Sequence, residues 1–248
     1  MFYKPEKKLY QHPERTNRYL WEVLPDRAWE DKPCIVVGGG PALKDFDWSL
    51  LSGWRTIGVN RAFEKFTPTI TFSMDTRFLM WVRSGRYGKD VAERFASLES
   101  YKVWLITYAA SLPKDIFIVP AKGGYKEGHY AFVRKMTGGL GHGNNSGYGA
   151  LNLAVCLGAN PIYLLGYSMK HDVFVDKTGK SWGKSHWHNG HPMPQYESTV
   201  EKFIHYYDRV APTIKKWGIK VINLSKKEDT SLKCFPIKDP REILGDGE

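Results

Sequence analysis

With 248 residues the chain stands near the upper limit for one hydrophobic core, and none of its apolar runs approaches the roughly 20 residues of a membrane-spanning helix. Hydrophobic residues at 42% suit a globular domain, while aromatics at 14% imply stacking surfaces as well as core. The formal charge of +10 points to an anionic ligand, acceptor or surface, but the cations are scattered (Lys7 and Lys8, Lys122 and Lys126, Lys215 and Lys216), which argues against one dedicated nucleic-acid groove.

Residues 1–32 read as a basic arm around one short helix in "RTNRYLWEVL". The charged start lacks the apolar stretch of a secretory signal, so a cytoplasmic location is expected. "CIVVGG" at 34–39 is a buried strand, "TIGVN" at 56–60 a second, and "TITFSMD" at 69–75, alternating apolar and polar, a third. A helix is predicted over 76–99, then strands in "KVWLIT" (102–107) and "DIFIVP" (115–120). "SGYGALNLAVCLG" at 146–158 has a helical pattern with Gly158 as its stop, and "PIYLLG" at 161–166 is the next strand. Residues 167–193 lack periodicity and read as a lid loop. The clearest helix spans 196–217, "KVINLS" at 220–225 closes the sheet, and 226–248 reads as a polar tail. Cys34, Cys156 and Cys234 show no C-x-x-C spacing, so neither a disulfide nor a cysteine-held metal is expected.

Strands alternating with helices predict an α/β fold: a Rossmann-like, mostly parallel sheet with helices on both faces, occupying 33–225. Ligands of such sheets bind beyond the carboxyl ends of the strands. Gly38–Gly40, Asn60, Asp75 and the stretch 166–168 all fall at strand ends and should therefore cluster.

Those positions carry the chemistry. Gly38, Gly39 and Gly40 followed by Pro41 give a sharp turn whose amides could face a phosphate or ribose, or a tight turn without a ligand. The run lacks the third glycine of a dinucleotide fingerprint. Asn60 can donate and accept to a ribose or phosphate, or merely form a turn. Asp75 is either a substrate or metal carboxylate or the cap of the next helix. Asn145, Ser146 and Gly147 open a helix with small polar groups, as an anion or nucleotide site or with Ser146 merely capping the helix. In "SHWHNGH", His186, His188 and His191 allow a metal site, one catalytic base, or a polar loop. Asp45 and Asp47 spell D-x-D beside the glycine turn, and no metal is assigned to them.

In this order, "IVVGGGPALKDFDWSLL", "IGVNRAF", "NNSGYGALNLAVCLGANPIYLLGYSM" and "SHWHNGH" resemble the blocks of the bacterial sialyltransferases that use CMP-sialic acid. Those blocks are a strand before G-N-G-P-S-L-K, a strand ending C-N, a T-S-G helix leading into I-Y-L-x-G, and an H-Y-x-G-H loop. The chain is more weakly similar to the hydroxymethylpterin diphosphokinase-like family through its glycine turn and the S-G helix. The sialyltransferase resemblance implies that Asn60 and Asn145–Ser146–Gly147 hold a nucleotide and that His191 is the general base. Gly39 stands where that family has an Asn that contacts the nucleotide. The tyrosine pair with which that family steadies the leaving phosphate has no counterpart, so Lys170 or Tyr167 would take that role.

The resemblance implies a glycosyltransferase that takes a nucleotide-sugar donor and a hydroxyl-bearing acceptor and requires no cofactor. A pterin-type pyrophosphokinase would instead need ATP and Mg²⁺, with Asp75 and Asp172 as ligands. Acceptors or partners that are polyanionic, a glycan or modified DNA, remain compatible with the charge, as does nucleic-acid binding without turnover.

Overall fold

The computed structural model describes residues 18–106, 112–122, 129–170, 172–175, 181–184 and 197–245, with 172–175, 181–184 and 197–198 described by backbone alone. Its strands in chain order are β1 (Cys34–Val37), β2 (Arg55–Val59), β3 (Ile70–Ser73), β4 (Tyr101–Ile106), β5 (Phe117–Pro120), β6 (Ile162–Leu165), β7 (Asp172–Val175), β8 (Ser181–Lys184), β9 (Val221–Leu224) and β10 (Ile237–Lys238). The helices are α1 (Thr76–Arg83), α2 (Lys89–Ser97), α3 (Ser146–Cys156), α4 (Glu197–Lys216) and the single turn α5 (Arg241–Leu244).

Eight strands form one sheet in the order β10-β9-β6-β1-β2-β3-β4-β5. Every pairing in it is parallel, so the Rossmann-like α/β architecture stands. β7 and β8 form a separate antiparallel pair inside the stretch expected to be a lid.

Parallel strands are joined by crossovers that cover both faces, and side chains alternate between the two layers. Val36, Ile57, Val59, Phe72, Val103 and Leu105 pack with α3 and with Tyr207, Val210 and Ile214 of α4. On the opposite face, Ile35, Val37 and Leu165 meet Leu43, Leu51 and Ala62. Farther along that face Trp104, Ile106 and Ile118 meet α1 and α2 through Phe78, Leu79, Val82, Val91 and Phe95. From Gly147 to Cys156 every residue of α3 is buried. Its one interior amide, Asn152, is satisfied there, accepting the N–H groups of Val133 (3.2 Å) and Gly141 (2.8 Å) and donating to the Val133 carbonyl (2.7 Å).

Four expectations change. The single helix over 76–99 is two helices, because Gly85 (φ 72°) and Gly88 (φ 122°) adopt backbone conformations that end α1 and precede α2. β3 does not alternate between core and solvent: Thr71 and Ser73 are buried as well, and their hydroxyls find partners in Ser100 (3.0 Å) and Asn60 (2.7 Å). Within the arm, 18–32 forms one 3-10 turn, Leu20–Glu22, yet it is stitched to the domain. The Ile118 N–H donates to the Arg18 carbonyl (3.0 Å), the Trp29 N–H donates to that of Leu157 (2.8 Å), and Leu20 and Trp29 are buried. Likewise 226–245 is no mere tail, since β10 extends the sheet past β9 while Leu232 and Phe235 enter the core. No helix among the described residues is long and apolar enough to cross a membrane.

Candidate functional site

The strand order sets a topological switch between β1 and β6. From β1 the chain winds outward through β2 to β5, then returns through α3 to add β6 on the other flank of β1. Open parallel sheets hold ligands in the crevice at such a point.

Here the two loops close tightly on each other. The Gly38 N–H donates to the Leu165 carbonyl (2.8 Å) and the Gly40 N–H to that of Gly166 (2.9 Å). The expectation that the whole glycine run offers its amides to an anion is therefore corrected. Two of the three are consumed by β6 and its loop, and Gly39 keeps the amide without a backbone acceptor among the described residues. A Cβ on Gly38 would stand 2.8 Å from the Gly166 oxygen, so this glycine is needed for the approach of two chains. Pro41 opens only a three-residue 3-10 turn, Pro41–Leu43, too short to lend a helix dipole.

Tyr167 follows the β6 loop and is 3% exposed. Its ring lies beside Gly38, and its hydroxyl donates to the Gly147 carbonyl at 3.0 Å. Burial pushes its phenol well above the usual range. Expected to face a leaving group, it instead clamps the end of β1 to the start of α3. Lys170 is exposed and donates from Nζ to the Glu228 carbonyl, which leaves the ammonium charge at the surface of this edge.

On the other flank Asn60 follows β2 and opens the 3-10 turn Asn60–Glu64 with φ 52°, a left-handed conformation that Asn tolerates. Its Oδ1 accepts from the Ser73 hydroxyl (2.7 Å), and Ser73 Oγ accepts the Asp75 N–H (3.1 Å). The Met74 N–H reaches the Ser146 hydroxyl (3.3 Å), joining β3 to α3. Asp75 caps α1, its Oδ1 accepting the N–H groups of Arg77 (2.8 Å) and Phe78 (3.2 Å). The capping alternative thus holds for Asp75, whereas α3 is capped by Asn145, which accepts the Tyr148 N–H (3.1 Å), and not by Ser146 as expected. Ser146 is the first helical residue, and its hydroxyl serves Met74. The amides of Ser146 and Gly147 have no protein acceptor among the described residues.

The glycine run is thus bonded to Leu165 and Gly166, and Asn60 to Ser73 and through it to Asp75. Asn145–Ser146–Gly147, not counted in the expected group, joins the two flanks through the Met74 N–H on Ser146 and the Tyr167 hydroxyl on Gly147. Among the described residues the Gly39, Ser146 and Gly147 amides have no protein acceptor, and the Asn60 Nδ2 has no partner. His186, His188 and His191 lie outside the described residues, as does the side chain of Asp172.

Residues not singled out in the sequence shape the edge as well. His142, fully buried, accepts the Asn144 N–H on Nδ1 (3.1 Å) and the Asn145 N–H on its carbonyl (2.7 Å), fixing the turn that presents Ser146. The "GHGNNSG" spelling is a visible signal for it. Arg61, one residue past Asn60, pairs with Glu64 and lies 4.6 Å from the Tyr87 ring centroid, while Arg86 stands 3.8 Å from that of Trp81. Tyr87 lies 27 residues beyond Asn60, and nothing in the local pattern announces that contact.

No protein-family model matches the chain, and no curated protein matches its sequence. Among solved structures, the MAf glycosyltransferase from Magnetospirillum magneticum AMB-1 is similar, with a TM-score of 0.55 at 11% identity. The alignment covers 88% of this chain and 35% of that one, so the chain spans little more than a third of that protein. At this identity the likeness establishes a shared fold, the parallel-sheet α/β domain described above.

Proposed function

We propose that the chain is a glycosyltransferase whose crevice between the ends of β1, β2, β3 and β6 and the start of α3 holds a nucleotide-activated sugar. What supports this reading is a set of donors without a protein partner among the described residues, the Gly39, Ser146 and Gly147 amides and the Asn60 Nδ2, on loops at the carboxyl end of the sheet and the start of α3. Backbone N–H groups at a helix start favour a phosphate ester. Asp75, the acidic residue there, has an oxygen committed to capping α1. The likeness in fold to a glycosyltransferase and the order of the sialyltransferase-like blocks both support the choice of chemistry.

In the reaction, an acceptor hydroxyl oxygen attacks the anomeric carbon as the bond from that carbon to the nucleotide phosphate breaks, its electron pair leaving with the phosphate. His191 takes the hydroxyl proton. Lys170 offsets charge on the departing phosphate, in place of Tyr167, whose hydroxyl serves Gly147. The donor is read as a CMP-sialic-acid-like sugar and the acceptor as a hydroxyl on an anionic glycan or modified DNA, in a reaction that needs no metal.

A thermal-shift screen against CMP, UDP, GDP, ATP and NAD tests the binding half, since a ligand that prefers the folded chain raises its melting temperature. Donor turnover tests the chemistry: His191→Ala should abolish transfer yet keep the shift. No sugar transfer, with an ATP-consuming pyrophosphoryl transfer that stops in EDTA, would instead support the Mg²⁺-dependent pyrophosphokinase.

A further inference from the structure

Asn60 has an amide whose two ends do opposite jobs, and its orientation decides whether the crevice offers a donor or an acceptor. We propose that Ser73 is a positioning residue that locks the Asn60 carbonyl inward, so that Asn60 can only donate, and that the ligand atom opposite it is a hydrogen-bond acceptor such as a phosphate or carbonyl oxygen. This inference rests on the reading of the crevice as a nucleotide site.

Ser73 ends β3 with no exposed surface. Its Oγ already accepts the Asp75 N–H at 3.1 Å, and its proton goes to Asn60 Oδ1 at 2.7 Å. Reversing the amide would turn Nδ2 toward Oγ. The serine proton would then need another acceptor, and the described structure offers it none besides Oδ1. A buried hydroxyl proton left without an acceptor costs more than an average hydrogen bond gains, so the amide keeps one sense. The left-handed backbone of Asn60, with φ 52°, adds a constraint on its replacement. Asp is also suited to that conformation, whereas Ala is not.

The consequence reaches beyond one bond. An exocyclic amine of a base, which can only donate, is excluded from the partner position at Asn60. A phosphate oxygen fits, and so does the carbonyl of a pyrimidine. Ser73 itself touches no ligand and acts only through the amide.

Two variants and their combination test this. Asn60→Asp keeps the acceptor for Ser73 but replaces the donor with an oxygen. Ser73→Ala frees the amide to turn. Calorimetric titration with CMP should show binding weakened at least tenfold in Asn60→Asp and three- to tenfold in Ser73→Ala. The double variant should be no weaker than Asn60→Asp alone, because a residue that works through another loses its effect when that other is changed. Full additivity, or no loss in Ser73→Ala, would overturn the proposal, since a purely structural serine would weaken both backgrounds alike. Without any ligand, the Asn60 carbonyl carbon resonance should move upfield in Ser73→Ala as its hydrogen bond is lost, and an unchanged resonance would refute the lock. Should the wild-type chain bind none of CMP, UDP and GDP, the nucleotide reading and the donor role fall together, while the resonance still judges the lock.

Discussion

Gly40 has an ordinary extended backbone, φ −58° and ψ 146°, and yet has no room for a side chain. A Cβ there would stand 2.6 Å from the Gly166 oxygen and 2.9 Å from the Ser168 hydroxyl. Gly40→Ala should therefore cost about 1–3 kcal/mol of stability by overpacking, read from urea denaturation. Gly138→Ala, whose Cβ would make an ordinary 3.5 Å contact with Val133, should stay within about 0.5 kcal/mol. Equal losses in both would show that the approach of the two loops is not the constraint. Asp75→Ala should lose about 1 kcal/mol as an N-cap, with Asp75→Asn close to wild type. At this scale the sequence was legible where a residue acts on its own neighbours, as Asp75 does in capping, although the cap of α3 proved to be Asn145, one residue before the expected Ser146. It was not legible where the partner is far along the chain. The Gly166 carbonyl that consumes the Gly40 amide lies 126 residues away, and no spacing within "GGGP" encodes it.

α3 shows how an element is fixed by one polar residue inside an apolar surround. Asn152 holds two backbone N–H groups and a carbonyl of the segment 133–141 against the helix. Asn152→Ala leaves the N–H groups of Val133 and Gly141 without a partner and the Val133 carbonyl with only the Cys156 thiol (3.4 Å). The cost is roughly 1–3 kcal/mol for the buried Gly141 N–H, so the variant should unfold at lower urea than wild type. A midpoint unchanged from wild type would mean that water replaces the amide without cost. The same helix holds Cys156, whose thiol burial pushes well above its usual range, while burial and then the Asp208 charge push Cys234 up to about 12. Both stay protonated when folded, and unfolding returns them toward the ordinary thiol value of 9.0. The folded chain therefore keeps protons that the unfolded chain releases as pH rises from about 9 toward 12, and stability should fall across that window. At pH 8 a thiol reagent should react with the native chain far more slowly than with the unfolded chain. Helix periodicity foretold α3 and α4 to within two residues. The break after α1 was missed because Gly85 and Gly88 sit within an otherwise helical apolar pattern, which carries no sign that both adopt a positive φ.

For the molecule as a whole, strand order was the informative quantity, and the apolar runs alone predicted a mostly parallel sheet but not which strands adjoin. That order brings β1 beside β6 and sets the switch point at which the nucleotide site is proposed. The sheet also depends on its far end. A chain ended after Ser225 loses β10 and the burial of Leu232 and Phe235, each worth about 1.5–3 kcal/mol, a large part of the roughly 5–15 kcal/mol that holds a domain folded. Such a truncation should unfold without a cooperative transition, and a melting temperature equal to that of the full chain would contradict the place given to this segment. The central claim is that the switch-point crevice, and no other surface, receives the nucleotide. Hydrogen exchange followed by mass spectrometry, with and without saturating CMP, tests it directly. Protection gathered in 38–41, 58–62, 73–76 and 144–149 is the predicted result, and protection confined to other segments would contradict it.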